Sequence, residues 1–209
     1  MFAFAGEMPK DANMTDDRPL IRLLDLADVP ALLAIIADAR AEYGMAGRVP
    51  ELLEPADRAL YTTYQKQRSL YFVAVAGGEI LGGAGIAPLN GADPLTCELQ
   101  RMYLRRDARG RGIGGELLEH CLKAARQFLY VRCYLETISP MRDALGFYER
   151  RGFRELEAPL GRTGHAHNDR WLMRPLRASA GRPARPLAAN REAMHARPTA
   201  ADIARGAYC

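Results

Sequence analysis

The run Arg109-Gly110-Arg111-Gly112-Ile113-Gly114-Gly115 lies between a strand-like segment and an amphipathic helical one. Glycines carry no Cβ, so successive main-chain N–H groups can turn into one concavity. The following helix, with Leu117, Leu118, Cys121, Leu122 and Ala125 on one face, adds roughly half a positive charge at its start. Such a loop suits a pyrophosphate. Arg109 and Arg111 can add charge-assisted bonds to it.

Two other phosphate loops share features with this run. A P-loop needs Lys followed by Ser or Thr, whereas Gly115 leads into Glu116-Leu117, which excludes it. Gly110, Gly112 and Gly115 also spell G-x-G-x-x-G, and Glu136 fills the acidic position of a dinucleotide fingerprint. That fingerprint opens a doubly wound parallel sheet. Here a meander precedes the loop, and a polar step at residues 105–108 separates it from the strand.

The elements that must position the loop follow from pattern. Residues 20–24 read as a strand. Asp28 caps a helix over 29–43, whose apolar stripe is Leu32, Leu33, Ile36 and Ala39. A second helix covers 55–65, with Pro55 in its first turn. Residues 70–76 and 79–87 form a hairpin about Gly77-Gly78, and 97–104 is the next strand. A helix over 112–128, a strand over 131–136 and a helix over 141–151 stopped by Gly152 come next. Residues 153–156 and 170–174 are the last strands. The order predicts an α+β fold: a mixed, mostly antiparallel sheet of about seven strands with four helices.

Length and composition set the frame. The 209 residues suffice for one domain, expected over 20–176. Residues 1–19 read as a loose leader. Residues 177–209 form an Arg/Ala/Pro-rich tail with too few large apolar residues to offset ordering entropy, apart from a short helix possible near 200–205. The tail holds six arginines against Glu192 and Asp202, which is the whole net charge of +4. The rest balances, so nucleic acid is not an expected partner. No apolar run approaches a membrane span and no secretory signal is apparent, which leaves the cytoplasm as the expected compartment. Cys97, Cys121 and Cys133 sit in apolar runs and read as buried thiols; with Cys209 they show no metal-ligand spacing.

Taken together, these motifs resemble the GNAT family of N-acetyltransferases. Its Arg/Gln-x-x-Gly-x-Gly/Ala signature is matched by Arg109, Gly112 and Gly114. Leu135-Glu136-Thr137 followed by Leu145-Gly-Phe-Tyr-Glu-Arg-Arg-Gly-Phe153 looks like the family's fifth strand and fourth helix. The resemblance implies acetyl-CoA as donor, no metal, and a small-molecule amine or amino acid as acceptor. Homodimers are common in such folds. A non-catalytic acyl-CoA sensor and a protein N-terminal acetyltransferase are the alternatives. The family often has an Asn shortly after the fifth-strand Glu; Pro140, Met141 and Arg142 stand there instead, which favours a small acceptor.

Acetyl transfer needs a held donor, a polarised carbonyl, a neutral amine and a stabilised thiolate. By resemblance, Met102, Tyr103 and Leu104 pair with the pantetheine arm like an added strand. The N–H groups of Gly110 to Gly115, including Arg111 and Ile113, take the pyrophosphate, and an N–H near Leu104 polarises the carbonyl. Tyr148 falls where the family often has a tyrosine acid; flanked by Phe147 and Phe153, it reads equally as a packing residue. An alkyl amine has a pKa of roughly 10, so about one in a thousand is neutral at pH 7. The candidate bases are Glu98, Glu136, His165 and His167. Glu98 reads equally as an exposed strand carboxylate, Glu136 as an anchor for a neighbouring loop, and the histidines as solvated loop residues. Arg40 can bind a substrate carboxylate or lie on the surface.

Overall fold

A computed structural model describes residues 18–45 and 56–176. The expected leader (save residues 18 and 19), the tail with its short helix, Pro55 and Cys209 lie outside the described residues. The elements are β1 (Leu20–Leu23), α1 (Val29–Ala41), α2 (Ala56–Thr63), β2 (Leu70–Ala76), β3 (Glu79–Pro88), β4 (Thr96–Leu104), α3 (Ile113–Gln127), β5 (Arg132–Thr137), α4 (Arg142–Arg150), β6 (Arg154–Glu155) and β7 (Arg170–Pro175). They form one seven-stranded sheet in the order β1-β2-β3-β4-β5-β7-β6. β4 and β5 are its parallel pair, joined by the α3 crossover; the other neighbours are antiparallel. This is the expected α+β sheet, and it is not a doubly wound one.

Both faces of the sheet are covered, which is why its central strands are apolar runs rather than alternations. On β2, Leu70, Phe72 and Ala74 join α3 residues Leu117, Leu118 and Cys121 in one core. Tyr71 and Val73 join Leu32, Ile36 and Leu60 of α1 and α2 in the other. Cys97, Cys121 and Cys133 are buried free thiols, as expected.

The start of α1 differs from the sequence reading. Asp28 makes no side-chain cap bond to the helix. Its carboxylate instead accepts from the Asp25 N–H at 2.8 Å and from Arg22 Nη2 at 2.7 Å. Asp25 caps a short 3₁₀ turn there, with Asp28 as the reciprocal member of the capping box. α1 also ends at Ala41 rather than residue 43, because Gly44 at φ +70° turns the chain there.

Candidate active site

Two breaks in regular structure build the site. The first lies in β4. Gly83 faces Tyr103 and Gly85 faces Gln100, so Arg101 and Met102 together oppose Ala84. This is a bulge, and Arg101 sits at its centre with φ +48°. The Tyr71 hydroxyl donates to the Arg101 carbonyl at 2.7 Å and holds it there. The second break is between β4 and β5. Their pairing covers only Thr96–Glu98 against Arg132–Tyr134. Beyond Glu98 the two strands separate, leaving main-chain edge on both. A cavity of about 640 Å³ fills the gap, a size ordinary for a small-ligand site.

Met102, Tyr103 and Leu104 line this cavity from β4, and Leu135, Glu136 and Thr137 from β5. Its far end is the glycine loop, represented by Arg109, Gly110, Gly112, Gly114 and Gly115. Gly112 is the N-cap of α3 at φ +86° and Gly110 has φ +75°. A Cβ at either would meet nothing within 4 Å, so the space above the loop is open. Among the described residues the N–H groups of Gly110, Gly112, Ile113 and Gly114 donate to no main-chain or side-chain acceptor. Gly112, Ile113 and Gly114 are orphan donors at the start of the fifteen-residue α3, and Gly110 precedes its cap. That donor set, beside an open concavity, fits a diphosphate.

The loop departs from the sequence reading at Gly115, Arg109 and Arg111. The Gly115 N–H is already committed to the Gly112 carbonyl at 2.8 Å, so it is not one of the outward donors. Ile113 puts its side chain into the core and contributes main chain only. The Arg109 guanidinium is already engaged within the protein: Nη1 and Nη2 grip the Glu42 carboxylate at 2.7 and 2.9 Å, and Nε donates to the Leu104 carbonyl at 3.0 Å. This bidentate hold draws the Glu42 carboxyl below its usual range. Arg109 thereby pins the loop to the end of α1, while Arg111 is exposed and does not line the cavity. Because L-residues pay about 1–2 kcal/mol in the left-handed region, Gly112→Ala should lower stability by about that amount in urea unfolding, although the added methyl has room.

α4 supplies cations that the sequence reading left largely unassigned. Arg142, Arg150 and Arg151 line the cavity. Arg151 stacks on Phe147 with its guanidinium carbon 3.9 Å from the ring centre. A Cβ on Gly115 would lie 2.5 Å from Arg151 Nη2, so the guanidinium overhangs the loop. Tyr148 is buried, edge-on to Phe147 and Phe153, and lines the cavity. Its hydroxyl has no hydrogen-bond partner among the described residues. Burial pushes its pKa above the ordinary phenol value, which keeps it a neutral O–H donor.

Beside the cavity stands a polar cluster. Glu98 and Glu136 have side chains 5% and 3% exposed, and His165, 36% exposed, reaches between them. His165 Nδ1 lies 3.8 Å from Glu98 Oε1 and 3.3 Å from Glu136 Oε2. Burial raises the Glu98 pKa; the Gln100 amide, donating at 2.6 Å, opposes that in part. Glu136 is equally enclosed, and burial alone would raise it too. Bonds from His165, Tyr134, Asn168 and Thr163 outweigh burial and leave its pKa lowered. Tyr134 donates at 2.8 Å, Thr163 at 2.9 Å and Asn168 at 3.1 Å. Glu136 therefore ties down the segment before β7, the anchoring role weighed for it above. Glu98 is a buried carboxylate, not an exposed one.

Not every candidate converges. Arg40 is half-buried on α1 and does not line the cavity, whereas its neighbours Ala39 and Tyr43 do. His167 is exposed. Arg101, which the sequence reading passed over, lines the cavity.

A splayed parallel pair, a strand bulge and a glycine loop capping the crossover helix frame the site; of the three, the glycine loop is the one expected from the signature at Arg109, Gly112 and Gly114. Residues 33–153 match the acetyltransferase (GNAT) family. The chain belongs to that family, and it is an acetyl-transferring enzyme. The sequence is 36% identical to the uncharacterized N-acetyltransferase YjgM of Escherichia coli over 165 residues, 78% of this chain and 99% of that one. A GNAT acetyltransferase from Staphylococcus aureus Mu50 superposes with a TM-score of 0.67 at 20% identity, covering 76% of this chain and 99% of the other. The PaiA N-acetyltransferase of Thermoplasma acidophilum, solved with coenzyme A, does so with a TM-score of 0.60 at 18% identity, covering 75% and 98%.

Proposed function

We propose that this GNAT enzyme moves the acetyl group of acetyl-CoA to the primary amine of a small molecule or amino acid, by direct attack while both are bound. The observation that carries this reading is the run of uncommitted amides at the start of α3, opening on a cavity that continues into the β4–β5 gap. Gly110, Gly112, Ile113 and Gly114 would hold the pyrophosphate, with Arg142 and Arg151 beside it. The exposed edge of Met102 to Leu104 would take the pantetheine amides as a neighbouring strand does. Acetyl-CoA supplies the activated acetyl group.

The chain's own residues do the proton work. An acceptor amine arrives as an ammonium. Glu98, whose raised pKa makes it a better base than an ordinary carboxylate, takes that proton, directly or through one water. His165, touching both Glu98 and solvent, is placed to pass it on. Tyr148 offers its O–H to the departing sulfur. Full proton transfer from a phenol near ~10 to a thiolate near ~8.5 is already uphill, and burial makes it more so. The role is therefore a hydrogen bond that strengthens as charge develops. Tyr148→Phe should lower kcat by roughly 10- to 100-fold with the KM for the acceptor little changed.

The reading is tested by thiol release from acetyl-CoA over a panel of amines and amino acids with the full-length protein. Turnover with at least one amine, and an N-acetyl product by mass spectrometry, is the expected outcome. Tight coenzyme binding without any product across the panel would replace it with a binding protein.

A further inference from the structure

Arg150 lines the cavity but has no part in the reading above. Helical side chains lean toward the helix N-terminus, over the residue four positions back. Arg151 accordingly lies over Phe147, with its guanidinium carbon 3.9 Å from the ring centre. Arg150 lies over Gly146: a Cβ on that glycine would sit 3.0 Å from Arg150 Nη1 and 3.9 Å from its guanidinium carbon. Gly146 and Phe147 are consecutive, so the two guanidinium groups are neighbours on adjacent rows of one helix. Both residues beneath them line the cavity as well.

Gly146 is an unfavourable choice for its place. It stands in the middle of the nine-residue α4, where glycine lowers helix stability relative to alanine. It is not one of the left-handed glycines, so the backbone does not call for it. The methyl of an alanine would crowd the Arg150 guanidinium. The glycine therefore makes the seat on which that cation rests.

Neither guanidinium is neutralised by the protein. Arg105, Arg132 and Arg170 each pair with a carboxylate, whereas Arg150 and Arg151 donate to none among the described residues. Asp143 lines the same cavity and binds neither. Like charges held side by side repel, and a ligand with more than one anionic group relieves that. Arg151 is half-buried and overhangs Gly115 of the loop, while Arg150 is exposed, on the solvent side. Coenzyme A has anionic groups in that order. Its diphosphate sits on the 5′ carbon of the ribose, and a phosphate monoester, with a charge of about −1.5 to −2 at neutral pH, sits one ribose away on the 3′ carbon. A guanidinium binds such a group bidentately.

We infer that Arg150, seated on Gly146, holds the 3′-phosphate of the coenzyme, with Arg151 between it and the diphosphate. This rests on the coenzyme reading above and deepens it: the enzyme selects the 3′-phosphorylated donor against its 3′-dephospho form. Arg150 is a specificity residue and touches no reacting atom.

Calorimetric titration of the full-length protein with CoA and with 3′-dephospho-CoA, at one fixed ionic strength, tests this. The native protein should bind CoA about tenfold more tightly or better. Arg150→Gln should erase most of that difference, weakening CoA at least fivefold and leaving 3′-dephospho-CoA within twofold. Arg150→Lys, which keeps the charge but not the planar fork, should retain part of it. Gly146→Ala, which crowds Arg150 without removing it, should narrow the difference while the protein melts at the same temperature or higher, which separates a lost seat from a damaged fold. Equal affinity of the native protein for the two ligands, or an Arg150→Gln loss shared by both, would overturn the inference while coenzyme binding stands. Absence of heat with either ligand would overturn the coenzyme reading and this inference with it.

Discussion

Glu98→Gln is expected to lower kcat by about 100- to 10,000-fold, the range over which a positioned general base contributes. The substitution keeps the side chain's shape and an acceptor for the Gln100 amide, so the fold should survive it. Removing a carboxylate whose ionisation is opposed by burial should leave thermal stability at neutral pH equal or higher. The pH dependence carries the same sign. Burial raises the Glu98 pKa, so its ionised, base form appears only as pH rises above the ordinary carboxylate range. In the native enzyme kcat/KM should fall on the acid side through that limb, and in Glu98→Gln the limb attributable to Glu98 should vanish. A variant with native turnover and an unchanged acid limb would remove Glu98 from the chemistry.

Glu136→Ala is expected to cost about 3 kcal/mol of stability, as removal of one partner from a buried charged network does. The Tyr134 hydroxyl, Thr163, Asn168 and His165 would lose their shared acceptor. Glu136→Gln should cost less, because an amide oxygen still accepts two of these bonds. Since its partners hold the folded pKa of Glu136 below the ordinary value of 4.5, its contribution is present above that value and is lost as pH falls through the lowered folded pKa. The stability gap between the native protein and Glu136→Gln should therefore close in acid. Urea unfolding at pH 7 and in acid measures both effects. A gap that persists unchanged in acid would mean that the Glu136 charge does not hold the segment.

The parts of this molecule that were legible in its sequence are those whose cause is local. Apolar runs of strand length, the Gly77-Gly78 turn and the periodic face of α3 each act within a few residues, and all fall where expected. The glycine loop was legible for the same reason, since left-handed glycines and a helix start lie side by side. What was not legible spans distance. Arg109 meets Glu42 across 67 residues, so nothing near the signature shows that its guanidinium faces α1. Glu136 finds Thr163 and Asn168 some thirty positions on. The bulge at Arg101 needs Gly83 and Gly85 of the neighbouring strand and two tyrosine hydroxyls from elsewhere. Asp28 followed a local rule for helix starts, yet Arg22 and the Asp25 amide compete for its carboxylate and win.

The pyrophosphate cradle underlies every functional statement here, and isothermal titration calorimetry of the full-length protein measures it most directly. Acetyl-CoA should bind with a dissociation constant in the micromolar range or tighter, NAD should give no comparable heat, and Gly112→Val, which crowds and strains the cradle, should weaken the coenzyme at least tenfold. Absence of heat with acetyl-CoA, alongside clear binding of NAD, would contradict the account at its base.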